Sequence, residues 1–178
     1  GSIAMSAQST GDNSVAIGNG AVASASSSIA LASGQASANR SVAIGTWANA
    51  TNSGSVAIGE DVDANGAHST ALGFQTVANG NYSTVMGLNT RTYGGGYGAT
   101  AMGSGSHAAN HGSTAMGANS TATGETSTAA GYYTQAIGQY STATGNNTTA
   151  TGYNSFSANI YTTSQSYASS VFGRYNII

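Results

Sequence analysis

The sequence predicts an all-β fold, a parallel β-solenoid with coils of about 14 residues, and two observations lead to this prediction. The first is a phrase, Ser-(Val/Ile/Thr)-Ala-(Ile/Leu/Met)-Gly, which recurs about every 14 residues, as in Ser14–Gly18, Ser41–Gly45 and Ser55–Gly59. A fixed short period indicates a solenoid, in which repeats bury their apolar surface against their neighbours. The second is the two-residue spacing of apolar side chains, such as Val15 and Ile17, which is typical of a strand.

A second, weaker phrase of the Ala-x-Ala type follows about seven residues after the first, for example at Ala48–Ala50 and Ala136. Each coil should therefore contain two short strands, and Gly or Asn should occupy the turns between them because these residues accept positive φ at low cost. The spacing from Gly87 to Gly103 is two residues longer than normal, which predicts a loop insertion at 88–98. We expect one repeat domain over 1–178, and residues 1–2 resemble an expression scar.

Composition excludes several classes of protein. Charged residues make up 4% of the chain and none of them is lysine, so the three arginines are too few for a nucleic-acid interface. There is no Cys, which excludes a disulfide framework. There is also no Pro, which fits continuous sheets, since Pro removes a ladder hydrogen bond.

Alternation along each strand predicts one buried and one outward face. We expect the larger apolar residues of the phrase to form the core: Val15, Ile17, Ile29, Leu31, Val42, Ile44, Val56, Ile58, Leu72, Met86, Met102 and Met116. We expect the alternate alanines to face outward as a trimer interface: Ala16, Ala30, Ala43, Ala57, Ala71, Ala101 and Ala115. A coil of this size encloses a thin core, so a neighbouring chain is expected to cover the alanine face, and cyclic symmetry would close the assembly.

Asn13-Ser14-Val15-Ala16-Ile17-Gly18, repeated at this period together with the Ala-x-Ala strand, closely resembles the YadA-like head domain of trimeric autotransporter adhesins. The resemblance implies a left-handed parallel β-roll assembled as a homotrimer and displayed on the bacterial cell surface, anchored in the outer membrane in the full-length protein. It implies adhesion to extracellular-matrix proteins such as collagen, to host cells and surfaces or to other copies of the head, and it brings no catalytic residues. From the residues themselves we expect no enzymatic activity, no cofactor and no insertion of this segment into the membrane, and the tyrosines add a glycan to the expected partners.

Two other functions fit parts of the sequence. The drift toward Ser-Thr-Ala-x-Gly, with tyrosines in the turns and a Phe-Gly-Arg-Tyr-Asn ending, resembles repeats of phage-type tail fibres and of chaperone-terminated surface fibres. The Thr column containing Thr114, Thr128 and Thr142 permits an ice-binding solenoid, for which we expect an exposed flat face on a monomer.

Few residues of the sequence are of the types that catalyse reactions or bind metals and ligands. His107 and His111 are four residues apart, a spacing that brings two rings together on a helix but not on a strand or turn, and Glu60, Asp61 and Asp63 form a small acidic cluster. We assign no metal site to either group. Tyrosine is favoured in binding surfaces, and five tyrosines near repeat starts are candidate ligand contacts: Tyr82, Tyr97, Tyr140, Tyr153 and Tyr167.

Overall fold

The computed structural model describes residues 6–176, so the proposed scar at residues 1–2 lies outside the described part. The chain divides into two compact units, the first ending at Asn89 and the second beginning at Thr90. Strands and turns account for the backbone of the described residues in both units. Within residues 6–176, no helix has the length and apolar character needed to cross a membrane.

The first unit alternates short and longer strands. They are β1 Gln8–Ser9, β2 Val15–Ile17, β3 Val22–Ala23, β4 Ile29–Leu31, β5 Gln35–Ala36, β6 Val42–Ile44, β7 Asn49–Ala50, β8 Val56–Glu60, β9 Asp63–Ala64, β10 Thr70–Phe74, β11 Val77–Ala78 and β12 Thr84–Leu88.

The second unit repeats this alternation. Its strands are β13 Arg91–Thr92, β14 Thr100–Ser104, β15 His107–Ala108, β16 Thr114–Ala118, β17 Thr121–Ala122, β18 Thr128–Tyr132, β19 Gln135–Ala136, β20 Thr142–Asn146, β21 Thr149–Ala150, β22 Phe156–Ile160, β23 Thr163–Ser164 and β24 Ser170–Arg174.

Within each unit, the odd-numbered strands form one parallel sheet and the even-numbered strands form the other. Each residue pairs with its equivalent in the next coil: Thr114, for example, pairs with Thr128 at a step of 14 residues. One coil is a residue shorter, because Ile29 pairs with Val42. The structure confirms the parallel β-solenoid of about 14-residue coils, while the left-handed winding stays a prediction.

The interior of each coil is filled by small side chains. Alanines from both strands are completely buried, for example Ala57 on β8 and Ala64 on β9, and serines such as Ser55 and Ser69 lie beside them. Two strands and two turns of a 14-residue coil leave a narrow space between the sheets, and an alanine methyl fills it. The solenoid core is therefore an alanine and hydroxyl core, extended from coil to coil.

This burial corrects both the predicted core and the predicted interface. No residue of the predicted core is buried; Val15 and Ile17 are each 44% exposed, and the others are half-buried or exposed on the outward face of the even-numbered strands. These residues are Val15, Ile17, Ile29, Leu31, Val42, Ile44, Val56, Ile58, Leu72, Met86, Met102 and Met116. The alanines predicted to form the trimer interface lie inside the coil instead, half-buried at Ala16 and fully buried at Ala30, Ala43, Ala57, Ala71, Ala101 and Ala115.

The serine that begins the phrase closes the turn before the long strand. Ser127 Oγ donates a hydrogen bond of 2.7 Å to the carbonyl of Gly124, and Ser41 Oγ donates one of 2.6 Å to the carbonyl of Ala38. The residue immediately before the serine has a left-handed backbone, as at Thr126 with φ 52°. The hydroxyl satisfies a turn carbonyl that faces the coil interior, which explains why a polar residue recurs at a buried position.

The glycine that ends the phrase is required for two reasons. At Gly117 φ is 111°, a conformation that is strained for residues with a side chain, and a Cβ there would lie 2.0 Å from the carbonyl oxygen of Gly131 in the next coil. The backbones of successive coils therefore approach closely along this column. Asn159 occupies the equivalent place in one coil, with φ 89°.

The irregular segment is shorter than the predicted loop at 88–98. Leu88 ends β12 and Arg91–Thr92 forms β13, so the first five residues of the predicted loop include strand, while its last residues lie in a turn. The extra residues lie in the turn between β13 and β14, which runs from Tyr93 to Ala99. Turns lie outside the hydrogen-bonded ladder, so this one can lengthen without shifting the register of the strands.

Candidate adhesive surfaces

The outward side of the even-numbered strands is an exposed apolar surface, which we call the apolar face. In the first unit it consists of Val15, Ile17, Ile29, Leu31, Val42, Ile44, Val56, Ile58, Thr70, Leu72, Thr84 and Met86. Ile58 is 37% exposed and Met86 is 38% exposed. Contiguous exposed apolar surfaces of this kind are typical of interaction sites.

In the second unit the same face is more polar. Thr100 and Met102 face outward on β14, as do Thr114 and Met116 on β16, but Thr142 and Thr144 occupy these positions on β20. Thr114, Thr128 and Thr142 are register partners in successive coils, as the threonine column predicts, and the ice-binding alternative stays a prediction.

Three of the five candidate tyrosines form one exposed row on the turns of the second unit, which we call the tyrosine row. The ring of Tyr153 lies edge-on to Tyr140 with centroids 5.4 Å apart and stacks on Tyr167 at 5.6 Å. Tyr167 is the most exposed of the three at 74%. The rings stack because each turn repeats one coil further along the solenoid, so the row presents aromatic edges and phenol hydroxyls together.

The other two candidates stack on histidines instead. Tyr82 stacks on His68 in the first unit with centroids 5.2 Å apart, and Tyr97 stacks on His111 in the second unit at 5.4 Å. The sequence placed all five tyrosines in turns, and the structure confirms this, but it groups only three of them. Their role as ligand contacts stays a prediction.

The histidines and acidic residues noted in the sequence lie on several strands and turns. His107 lies on β15 and has an edge-on contact with Tyr93, whereas His111 lies in the following turn. Asp63 accepts a hydrogen bond of 2.9 Å from the side chain of Asn49. Among residues 6–176, no three His, Cys, Asp or Glu side chains are grouped as metal ligands would be.

One titratable group is perturbed by its surroundings. Partial burial lowers the pKa of His107, and the positive charge of Arg91 lowers it further. Arg91 is its register partner on the neighbouring strand β13. The shift therefore follows from the solenoid geometry, which places equivalent side chains of adjacent coils side by side.

Sequence reasoning missed several exposed groups. Trp47 is 64% exposed in a turn of the first unit, where its φ is 56°. Tyr161 and Tyr175 stack with centroids 5.2 Å apart in the second unit, next to Ile160 and Arg174. Their common spacing of 14 residues was a usable signal for the tyrosine pair, because equal positions in successive coils become neighbours.

The repeats of the chain match a known family along most of its length. The YadA head domain repeat matches residues 9–31, 36–59, 64–90, 95–120, 108–134 and 136–155. The chain belongs to the YadA head family. This is a structural and adhesive family, in which enzymatic activity is not typical. A comparison with curated proteins found no match.

Membership in the YadA head family agrees with the geometry described above. The matched segments cover consecutive coils, each with one long and one short strand. The YadA head repeat thus accounts for the phrase, the period and the alternation of strands together, and it indicates a surface-exposed, adhesin-like protein.

Proposed function

We propose that this chain is the head of a trimeric autotransporter adhesin, a homotrimer that attaches to host extracellular matrix or cells. The observation that carries the proposal is the apolar face, which leaves Val, Ile, Leu and Met side chains in contact with water on an isolated chain. Burying such side chains stabilises an assembly by about 25 cal/mol for each Å² of apolar surface. The apolar face, and not the alanine column, is therefore the proposed trimer interface.

Cyclic symmetry suits a face of this kind. Three parallel copies around one axis would cover the apolar face of every chain and leave the turns exposed to solvent. The YadA head family supports the count of three. In the full-length protein we expect an anchor in the bacterial outer membrane, with this segment displayed outside the cell.

The mass of the particle in solution tests the assembly. Light scattering after size exclusion should give about three times the chain mass of 17.4 kDa. Ile58→Asp should convert the trimer to monomers with an unchanged far-UV circular dichroism spectrum, because the charge lies on the outward side of β8. The matched control is Gln35→Asp, on an exposed position of the other sheet, which should stay trimeric. A monomeric parent protein would contradict the proposal.

Adhesion is proposed to arise from repeated weak contacts, not from one deep pocket. Three tyrosine rows on one trimer would act together and raise the apparent affinity without any single strong site. Binding of the trimer to collagen-coated plates is the direct assay. Replacement of Tyr140, Tyr153 and Tyr167 by Ser should weaken binding while the trimer persists, and replacement of the solvent-exposed Thr123 by Ser serves as the control. Undiminished binding of the triple variant would remove the tyrosine row from the proposal.

A further inference from the structure

A groove lies on the surface of the second unit where three successive even-numbered strands end. Its volume is about 560 Å³, and its lining residues are Gly145, Asn146, Asn159, Ile160, Gly173 and Arg174. These residues come from β20, β22 and β24, so the groove runs across three coils. It is separate from the tyrosine row, which lies on the turns that precede these strands. The groove is at the last two residues of each strand, next to the turns that follow, and the proposed trimer leaves these turns exposed to solvent.

The groove lies beside the column of positions that end the phrase, where successive coils approach closely and two of the three residues are glycine. Gly145 and Gly173 have no side chain, and their φ values of 117° and 107° are those of the glycine column. The neighbouring outward residues Thr144 and Ala158 are also small. The third residue of this outward row is Phe172, which is 59% exposed and whose ring lies 5.2 Å from that of Phe156, so the row is small at Thr144 and Ala158 and bulky at Phe172.

Polar groups stand at the two ends of the groove and an apolar group stands in its middle. Asn146 pairs in register with Ile160, and Ile160 pairs with Arg174. Successive parallel strands lie about 4.8 Å apart, so the backbones of Asn146 and Arg174 are about 10 Å apart. The distance between these backbones matches the length of one or two sugar rings. The Asn146 amide stands at one end of the groove and the Arg174 guanidinium at the other.

Arg174 is held in place by Tyr175, and within the described part of the second unit no acidic side chain forms an ion pair with it. Its guanidinium carbon lies 4.9 Å from the centre of the Tyr175 ring, and a guanidinium nitrogen is 3.4 Å from the Tyr175 hydroxyl. The one acidic side chain of the second unit is Glu125, which accepts a hydrogen bond from Gln139. An exposed guanidinium supported by an aromatic ring is well suited to a carboxylate, which it binds through two parallel hydrogen bonds.

We propose that this groove binds a sugar acid, with the carboxylate on Arg174, a sugar hydroxyl on Asn146 and the C–H face of the ring on Ile160. A compact inorganic anion would use Arg174 alone, and a neutral sugar would leave Arg174 without a partner. One charge-assisted contact and a shallow groove give weak binding, with a dissociation constant of about 1 mM for a single site. The inference names a ligand class for the proposed adhesin and in that sense rests on the proposed function.

The test is an NMR titration of the purified protein with a disaccharide that ends in glucuronic acid, beside the same disaccharide ending in glucose. The acidic sugar should give saturable shifts at Asn146, Ile160 and Arg174, and the neutral sugar should bind at least tenfold more weakly. A hexasaccharide whose uronic acids are internal shows whether the groove takes a sugar acid at the end of a chain or within a polysaccharide. Binding of the disaccharide or of the hexasaccharide supports the groove as a sugar-acid site. Equal binding of acidic and neutral sugars would overturn the proposal, and so would sodium sulfate binding as tightly as the acidic sugar.

Variants test whether binding of the acidic disaccharide depends on the residues of the groove and not on charges elsewhere in the chain. Arg174→Gln should weaken binding of the acidic disaccharide at least tenfold, and Asn146→Asp should weaken it because a carboxylate is added to the site. Arg40→Gln, at an exposed turn of the first unit, is the matched control and should bind normally. Unchanged affinity of Arg174→Gln with a native circular dichroism spectrum would refute the site. That result would leave binding to collagen-coated plates unaffected, so failure of the groove and failure of adhesion are distinguishable.

Discussion

The serines at the start of the long strands differ in their hydrogen bonding although they occupy equivalent positions. Ser127 and Ser141 are both fully buried and lie in adjacent coils. Ser127 Oγ donates to the carbonyl of Gly124 at 2.7 Å, whereas Ser141 Oγ has no hydrogen-bond partner. A buried hydroxyl stabilises the fold only when it is bonded and otherwise costs free energy through desolvation.

This difference predicts opposite effects of the same substitution. Ser127→Ala should lower the free energy of unfolding by about 1 kcal/mol, since it removes a buried hydrogen bond. Ser141→Ala should leave the free energy of unfolding unchanged or raise it, because it removes an unsatisfied hydroxyl. Urea denaturation followed by circular dichroism measures both values. Equal destabilisation by the two substitutions would show that both hydroxyls are bonded in solution.

His107 links the stability of the second unit to pH. Burial, followed by the charge of Arg91, lowers the pKa of His107 in the folded chain, so the unfolded chain binds a proton at a higher pH than the folded chain does. The stabilising contribution is complete above the unfolded pKa of about 6.5 and is lost as pH falls through the folded pKa.

We therefore expect the midpoint temperature of thermal unfolding to decrease when the pH is lowered from 7 to 5. The decrease should be smaller in His107→Thr, a variant that has at this position the residue of the next coil, Thr121. Arg91→Gln should also reduce this pH dependence, because it removes the second cause of the shift. Calorimetry across this pH range measures the midpoints, and an NMR titration of His107 reports its pKa directly. An identical pH dependence in the parent protein and His107→Thr would contradict the assignment.

At the scale of the strand, the inner and outer positions differ in the size of side chain that they accept. Ala115 on β16 is fully buried inside the coil, whereas its neighbour Met116 faces outward. Enlarging a packed interior position strains the backbone, while a volume-conserving change costs less than about 1.5 kcal/mol.

Ala115→Leu should therefore destabilise the chain by about 3 kcal/mol, and Met116→Leu should change its stability little. Thermal melts of the two variants test the inside and outside assignment directly. The reverse order, with Met116→Leu the more damaging, would restore the prediction that methionine fills the core.

The same strands show what the sequence can and cannot predict. The period of the phrase was sufficient for the fold, the pairing of equivalent residues and the placing of tyrosines such as Tyr153 in turns. Alternation alone does not say which face is inside, and the larger side chains were wrongly placed there. A signal was available, because the inner position stays small along most of the chain while the outer one varies from Ile44 to Met116 to Thr144. The groove beside Arg174 was not predictable, since it depends on the depth left between strands.

At the scale of the whole molecule, each coil interacts mainly with its two neighbours, so stability is distributed as a sum over coils. Deleting residues 114–127 removes one whole coil and joins Ser113 to Thr128, an equivalent position of the next coil. The shortened chain should fold with a small loss of stability. Deleting residues 114–120 removes half a coil and places the short-strand residues Thr121 and Ala122 in the long-strand sheet.

The half-coil deletion should lose the cooperative thermal transition that the whole-coil deletion keeps. Circular dichroism melts of the two variants, expressed and purified in parallel, provide the comparison. Loss of cooperative unfolding in both variants would show that coils are not interchangeable.

The turn positions with left-handed backbone have a consequence for how such proteins diverge. The residue before the phrase is, for example, Arg40, His68, Tyr82, Thr126 or Asn154, and the non-glycine residues at this position have φ between 50° and 58°. Substitution there changes the outer chemistry without moving the backbone beneath it. Related chains can therefore present different side chains on an unaltered scaffold, while the coil interior remains under the constraint of packing.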